Sequence, residues 1–270
     1  MRAISLEYHD VVPREEADSS GFPGEGPASY KLDPTEFERH LAIVKKIIKG
    51  KPATAFDLFK ETKRELPVLL TFDDGGSSAY TYIADRLERF GHYGHFMITV
   101  NYIGRPSFLE KEQIRALRER GHIIGSHSCS HPRQMSHCSW EQLVEEWRIS
   151  VKVLSDILDE KVRVASIPGG YYCAKAVQAA SQAGIKVMFT SEPTTRCHYV
   201  DGCLVLGRYS VRRWTSAEMV EAIASGQVAS RTKQWIIWNL KKIPKFLGGD
   251  FYEKTRGYFW ASQKGISTGK

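Results

Sequence analysis

The feature that most constrains this fold is a repeated alternation of short β-branched runs with longer amphipathic stretches. Seven runs bounded by Gly, Pro or Asp predict strands, at residues 4–9, 68–73, 95–100, 123–128, 162–168, 185–190 and 204–210. The stretches between them predict helices near residues 35–49, 78–90, 110–120, 139–159, 174–183, 215–225 and 230–247. Start signals such as Asp33-Pro34 and Thr215-Ser216 support these helices. Strands alternating with helices in this number indicate an α/β fold, a parallel (β/α)7 barrel.

Residues suited to chemistry fall at the ends of the predicted strands. His9, the pair Asp73 and Asp74, His127 and Pro168 all occupy such positions. Because the carboxyl ends of barrel strands converge on one mouth, we expect these residues to meet there. The Gly- and Pro-rich segment 10–30 predicts a long loop over the same mouth.

Composition excludes several classes of protein. Hydrophobic residues make up 42% and charged residues 26%, which is typical of a globular chain. No apolar run reaches the roughly 18 residues of a membrane span, and a charge interrupts the first residues too early for a signal peptide. We therefore expect a cytoplasmic protein. The five cysteines form no Cys-x-x-Cys pair, so we expect reduced thiols and no thiolate zinc site.

The run Asp73-Asp74-Gly75 places two adjacent carboxylates at a strand end. Neighbouring side chains there point to different sides, so one carboxylate can bind a metal while the other moves a proton. The alternative is a simple turn that caps the following helix.

A second run, Gly125 to Pro132, contains His127 and His131 four positions apart. Both can face one metal if the segment forms a single helical turn, which Pro132 would end. An incidental histidine pair is the alternative. Cys129 lies between them and would point away from the shared face.

Together the two runs offer two histidines and one carboxylate to one ion. That ligand count leaves an open coordination position, as in catalytic rather than structural sites. It favours Zn²⁺ as the divalent metal, and cobalt or nickel would fit the same geometry.

The segments 71–75 (Thr-Phe-Asp-Asp-Gly) and 127–132 (His-Ser-Cys-Ser-His-Pro) resemble the first two motifs of the polysaccharide deacetylase superfamily, carbohydrate esterase family four. The runs at 103–106 and 121–125 are also similar, so the resemblance covers most of residues 1–210. It implies a distorted barrel of the polysaccharide deacetylase type. It further implies that Asp73 is the general base and that Asp74, His127 and His131 bind the metal.

The third motif of that superfamily, Arg-x-Pro, is altered here to Ser166-Ile167-Pro168. Ser166 cannot supply the guanidinium that orients the base in the family. We expect Arg208, at the end of the last predicted strand, to replace it. The family also holds the oxyanion with a backbone amide after the proline, a role that falls to Gly169 and Gly170.

The general acid also departs from the usual pattern, because the chain has no histidine after His198. His9 ends the first predicted strand, which resembles permuted family members that carry the acid histidine at the amino terminus. A closed barrel brings a strand moved from the end to the start back to the same place. We expect His9 to protonate the leaving amine, and a structural role bracing the first loop is the alternative.

The C-terminal region carries much of the net charge of +7. The segment 230–247 alternates Trp, Ile and Leu with lysines, which predicts a basic amphipathic helix. We expect a barrel over residues 1–228 and a tail over 229–270. The tail can pack on the barrel or rest on an anionic membrane surface. No basic and aromatic patch recurs elsewhere, so we expect no nucleic acid partner.

These observations and the resemblance predict a metal-dependent hydrolase that removes an N-acetyl group from an amino sugar. A cytoplasmic enzyme would act on a glycan precursor, nucleotide-linked or lipid-linked, and Arg212 and Arg213 would suit its phosphate. Two alternatives remain: a sugar-binding protein without catalysis on the same fold, which the loss of the arginine at Ser166 suggests, or a hydrolase of another linear amide.

Overall fold

The computed structural model describes residues 1–48, 53–60, 66–170 and 172–229, together with 231, 232, 234–236, 238 and 239. Residues 1–231 form one compact unit. Within it, seven helices are α1 (Glu25–Ala28), α2 (Pro34–Ile47), α3 (Ala84–Arg89), α4 (Lys111–Glu119), α5 (Trp140–Leu158), α6 (Ala174–Gln182) and α7 (Ala217–Ala224). The predicted helix 230–247 falls mostly outside the described residues, and the proposed tail boundary stays a prediction.

The strands form one sheet of nine members. They are β1 (Ile4–Tyr8), β2 (Val68–Phe72), β3 (Gly94–Ile98), β4 (Ile123–Ser126), β5 (Val164–Ser166), β6 (Val187–Phe189), β7 (His198–Val200), β8 (Cys203–Leu206) and β9 (Tyr209–Ser210). Their order is β7-β8-β6-β5-β4-β3-β2-β1-β9, and every pairing except β7 with β8 is parallel. The predicted α/β barrel is confirmed.

The barrel closes through the last predicted strand, which the structure breaks into β8 and β9. β8 pairs with β6, whereas β9 pairs with β1, so the segment 203–210 joins the two edges of the sheet. Gly207 lies at the break, where a Cβ atom would approach the carbonyl oxygen of Glu192 to 2.2 Å. A side chain at this position would collide with the backbone, so glycine is required here.

Strand β7 was not predicted. It forms an antiparallel hairpin with β8 across Asp201 and Gly202, both with positive φ. An Asp-Gly pair between two short β-branched runs is the usual signal of such a hairpin, so the sequence did contain the information. The strand is short and largely exposed, and no site residue lies on it.

Two hydrophobic layers lie on opposite faces of the sheet. One layer fills the space between the strands and the helices and includes Leu6, Phe72 and the fully buried Trp147 of α5. The other lines the barrel interior and includes Leu69, Val164, Val187, Phe189, Leu204 and Leu206. Because side chains alternate along a strand, residues two positions further on continue into the barrel mouth. That continuation runs from Leu69 through Thr71 to Asp73, from Val164 to Ser166 and from Leu206 to Arg208.

Helix ends follow the sequence signals. Asp33 caps α2 by accepting a hydrogen bond from the backbone of Thr35, with Pro34 at the first helical position. Ser216 caps α7 in the same way. The predicted helix 78–90 begins with a π turn over Ala79–Ile83 and continues as α3. Among the described residues, no helix is both long enough and apolar enough to cross a membrane.

Candidate active site

Asp73 and Asp74 follow β2 and take different partners. Asp74 adopts a left-handed backbone with φ of 77°, and Gly75 follows with φ of 85°. A positive φ is uncommon for a residue other than glycine and is often found at functional sites. The turn separates the two carboxylates: Asp73 contacts Arg208, and Asp74 faces the two histidines.

The predicted helical turn between His127 and His131 is wrong. The segment is a loop in which Ser128 and His131 have φ of 64° and 58°. Glu146 of α5 holds the loop by accepting hydrogen bonds of 2.9 Å from the backbone amides of Cys129 and Ser130. Sequence reasoning missed this residue, because nothing local distinguishes Glu146 from the other acidic residues of α5.

The loop nevertheless brings both imidazoles to Asp74. Nε2 of His127 lies 3.4 Å from Oδ1 of Asp74, and Nε2 of His131 lies 3.5 Å from the same oxygen. Ligand atoms of the three residues all lie within 4.8 Å of one another. Two ligands about 2.1 Å from a tetrahedral ion stand about 3.4 Å apart, so the spacing suits a zinc-like ion.

Proton positions give an independent test of this fit. The hydroxyl of Ser166 donates to Oδ1 of Asp73, so its oxygen must accept from Nδ1 of His127, which lies 2.6 Å away. Nε2 of His127 therefore carries a lone pair and faces a carboxylate oxygen. Oδ1 of Asp74 is buried and has no hydrogen-bond partner among the described residues. Two acceptors facing each other with no proton between them fit a bound cation.

Electrostatics keep His127 and Asp74, but not His131, in the unprotonated form that binds a metal. Burial lowers the pKa of His127 to about 4, against the opposing charges of Asp73 and Asp74, so its imidazole is neutral at pH 7. Burial raises the pKa of Asp74, but His131 and His9 outweigh it and lower the value to about 2. Burial also acts to lower the pKa of His131, but the Asp74 carboxylate raises it overall. A metal would displace that proton.

Arg208 holds Asp73 in a two-pronged ion pair. Its Nη1 and Nη2 donate to Oδ1 and Oδ2 of Asp73 at 2.7 Å each. Burial alone would raise the pKa of Asp73, but the guanidinium of Arg208 and the neighbouring His127 hold it well below its usual range. The structure thus brings Arg208 to the position that the sequence assigned to it.

A second carboxylate, that of Glu7, lies on the other side of Arg208. Oε1 of Glu7 lies 2.8 Å from Nη2 of Arg208, and the Glu7 carboxylate also accepts hydrogen bonds from Ser191 and Ser210. Sequence reasoning missed Glu7. Its signal was a charged residue inside a strand that is otherwise fully buried.

His9 follows β1 and reaches the same mouth. Its positive form would lower the pKa of both Asp73 and Asp74. Its ring centroid lies 4.6 Å from that of Tyr30, and Arg212 stacks on the Tyr30 ring at 3.4 Å. The Nδ1 atom of His9 is buried without a hydrogen-bond partner in the part of the chain that the structure describes.

Gly169 and Gly170 lie in a tight turn, and their backbone amides differ in whether they already donate a hydrogen bond. The Gly170 amide donates to the Ile167 carbonyl at 2.8 Å, as expected for a type II turn with Pro168 and Gly169 at its centre. The Gly170 amide is therefore not free to hold an oxyanion, which corrects half of the expectation. For the Gly169 amide, no backbone acceptor is found among the described residues. Its oxyanion role stays a prediction.

The loop 10–30 lies over the metal ligands, as expected. The buried ammonium of Lys31 donates to the carbonyls of Ala17, Ser20 and Phe22 at 2.6 to 2.7 Å. These bonds fix the loop from beneath and place the Phe22 ring 5.0 Å from that of His131. The loop therefore supplies an apolar wall beside the candidate metal site.

The fold and these residues define a parallel barrel with a candidate metal centre and an adjacent arginine-held carboxylate at its mouth. Residues 60–188 match the sequence profile of the polysaccharide deacetylase family, and over this segment the chain is similar to that family. The matched segment includes Asp73, Asp74, His127 and His131, but His9 and Arg208 lie outside it. The assignment to a permuted branch of the family stays a prediction.

Individual relatives agree with this assignment. The chain is 25% identical over 169 residues to YxkH of Bacillus subtilis (strain 168), which is named as a polysaccharide deacetylase, and the match covers 61% of this chain and 60% of that protein. The chain spans only half to about 60% of the length of the curated relatives it matches.

Solved structures share the fold. A de-N-acetylase from Aggregatibacter actinomycetemcomitans superposes with a TM-score of 0.68 at 19% identity, covering 83% of this chain and 100% of that one. The Streptococcus pyogenes deacetylase PplD, solved with acetate, gives a TM-score of 0.64 at 18% identity, covering 81% and 96%. At these identities the likeness establishes the barrel architecture and leaves the substrate open.

Proposed function

We propose that this protein is a metal-dependent hydrolase that removes an N-acetyl group from an amino sugar of a glycan or a glycan precursor. The observation that carries the proposal is that the adjacent carboxylates of Asp73 and Asp74 have different partners. Asp74 faces the Nε2 atoms of two histidines at 3.4 and 3.5 Å. Asp73 instead accepts two hydrogen bonds from Arg208. One carboxylate is thereby available for a metal and the other for a proton.

Asp74, His127 and His131 would hold the ion, and Zn²⁺ suits this ligand set best. A divalent ion at this position would polarise the amide carbonyl and increase the acidity of a water molecule. The remaining chemistry belongs to side chains and backbone of this chain.

Asp73 would accept the proton that the attacking water loses as its oxygen bonds to the acetyl carbon. The Gly169 amide would donate to the oxygen that gains negative charge. The C–N bond then breaks with its electron pair on nitrogen, and His9 would donate the proton that completes the amine. The products are a free amino sugar and acetic acid, which releases a proton to become acetate; Asp73 has gained one proton and His9 has lost one.

The relatives support this reaction class by their names, which describe deacetylases and a de-N-acetylase. The position of Arg208 also supports catalysis over the sugar-binding alternative. That alternative rested on the loss of the motif arginine at Ser166, and here Arg208 supplies two hydrogen bonds to Asp73 from the break between β8 and β9.

The test is acetate release from N-acetylated sugars supplied free, nucleotide-linked and lipid-linked. Each would be assayed with a chelator and with Zn²⁺ restored. Asp73→Asn should lower kcat by about 100-fold or more, because a positioned general base contributes 10²-fold to 10⁴-fold. The control is Asp85→Asn, which alters an exposed carboxylate paired with Arg120 on the outer surface.

Metal-dependent release that Asp73→Asn abolishes and Asp85→Asn preserves would support the proposal. Bound metal with no acetate from any sugar would favour another linear amide or a binding function. The cytoplasmic location, the membrane contact of the tail and the absence of a nucleic acid partner remain part of the proposal, and cell fractionation would check the first two.

A further inference from the structure

Ser166 lies between the two halves of the site. It is the last residue of β5 and is completely buried. Its hydroxyl oxygen is 3.0 Å from Oδ1 of Asp73 and 2.6 Å from Nδ1 of His127. Ser166 thus bonds both to the candidate base and to a candidate metal ligand.

The hydroxyl can serve both partners only in one orientation. Asp73 is ionised and accepts only, so the single Ser166 proton is donated to its Oδ1. The Ser166 oxygen then accepts the proton on Nδ1 of His127. Two consecutive hydrogen bonds therefore connect the imidazole N–H of His127, the hydroxyl of Ser166 and the carboxylate of Asp73.

This series of hydrogen bonds distinguishes the two oxygens of Asp73. Oδ1 accepts from Nη1 of Arg208 at 2.7 Å and from Ser166 at 3.0 Å, which uses both of its lone pairs. Among the described residues, the hydrogen bond found at Oδ2 is the one from Nη2 of Arg208, at 2.7 Å. Oδ2 is thus the oxygen with a lone pair left to receive a proton.

We infer that Ser166 is a positioning residue that links Asp73 to His127, presents Oδ2 of Asp73 as the proton-accepting atom and keeps Nε2 of His127 free for the metal. The inference rests on the proposed deacetylase function for its kinetic consequence. Its consequence for metal binding does not depend on which substrate is used.

The kinetic test compares Ser166→Ala with Ser150→Ala. Ser150 is a buried serine whose hydroxyl contacts Ser126 and the Trp147 carbonyl, so its loss costs a similar hydrogen bond away from Asp73. Removing a hydrogen-bond partner behind a metal ligand costs 10-fold to 100-fold in activity or affinity. We expect Ser166→Ala to lower kcat by about 10-fold or more, with KM within about twofold because Ser166 is buried away from the substrate. Ser150→Ala should retain wild-type kcat.

The second readout is the affinity for Zn²⁺, measured by chelator competition, with the visible spectrum of the Co²⁺-loaded protein. Ser166→Ala should weaken Zn²⁺ binding by about 10-fold and alter the Co²⁺ bands. The loss should be no larger, because the Ser166 carbonyl remains 3.2 Å from Nδ1 of His127. Ser150→Ala should change neither quantity.

The outcomes distinguish a failure of the proposed role of Ser166 from a failure of the proposed deacetylase function. Acetate release by the wild type with unchanged kcat and Zn²⁺ affinity in Ser166→Ala would overturn the role of Ser166 and leave the function standing. Weaker Zn²⁺ binding in Ser166→Ala, from a wild type that releases no acetate, would support the link to His127 while the proposed function fails.

Discussion

Replacing Arg208 by methionine tests the central electrostatic argument about this site. The guanidinium is completely buried and contacts Asp73 twice at 2.7 Å and Glu7 at 2.8 Å. It also donates to Thr71 at 3.2 Å and to the Thr190 carbonyl at 3.1 Å. Methionine fills similar space without charge, so the variant leaves two carboxylates buried near each other with no cation.

The expected loss of stability follows from that change. Removing one partner of a buried ion pair costs about 3–5 kcal/mol, because the remaining charge is uncompensated. In a unit of this size, 1 kcal/mol lowers Tm by about 2–4 °C, so we expect a decrease of roughly 6–20 °C. Adding Glu7→Gln should recover part of the loss, because it removes one of the two orphaned charges.

The assay is urea unfolding at pH 7, with Arg118→Met as the matched control. Arg118 pairs with Glu160 at the surface, where both side chains are about 40% exposed, and a pair of this kind contributes under about 1 kcal/mol. If Arg208→Met unfolds at the same urea concentration as Arg118→Met, the reasoning about the buried pair is refuted. An additional loss from Glu7→Gln in the Arg208→Met background would also contradict it.

Three further predictions follow from the described contacts. Asp74→Asn should weaken Zn²⁺ binding by roughly 100-fold, since it removes the anionic ligand, and losing a mere hydrogen-bond partner of a ligand already costs 10-fold to 100-fold. Chelator competition checks this, and unchanged affinity would remove Asp74 from the metal site. Gly170→Ala should destabilise the protein more than Gly184→Ala in thermal unfolding, because both have positive φ but only at Gly170 would a Cβ meet Ser191, at 1.9 Å. Burial lowers the pKa of His95 to about 4, so as pH falls below 6.5 this histidine gains a proton in the unfolded chain before it does in the folded protein. The free energy of unfolding should therefore decrease by up to about 1.4 kcal/mol per pH unit between pH 6.5 and pH 4. Urea unfolding at pH 7 and pH 5 measures this decrease, which His95→Gln should reduce.

Much of the fold could be predicted from local pattern. All seven predicted strands are present, because runs such as 68–73 combine β-branched residues with clear turn boundaries. The cap residues Asp33 and Ser216 also act as expected. The hairpin strand β7 was missed although Asp201-Gly202 marked it. Signals of this kind lie within a few residues of one another and need no knowledge of the remaining chain.

The site was most predictable where a motif was compact, and the altered third motif also led to Arg208 as the partner of Asp73. Asp73, Asp74, His127 and His131 could be proposed from two short runs, but the shape of the histidine loop was wrong. The spacing of the two histidines favours a helical turn when only the local sequence is considered. In the structure, the distant Glu146 accepts hydrogen bonds from the backbone amides of Cys129 and Ser130 and stabilises a loop with positive φ at Ser128 and His131. Likewise, the turn at Ile167 uses the Gly170 amide that the motif had suggested for the oxyanion.

The sequence by itself therefore determined the alternation of strands and helices and the residue types available at the barrel mouth. Only the tertiary structure decided the contacts through which these residues share protons and charge. Arg208 reaches Asp73 across 135 positions of the chain, and Ser166 joins Asp73 to His127 from a third strand. Such partners depend on the closure of the sheet at β8 and β9 and on the register of each strand. Both are set by packing of the whole barrel, whose long-range contacts no local pattern encodes.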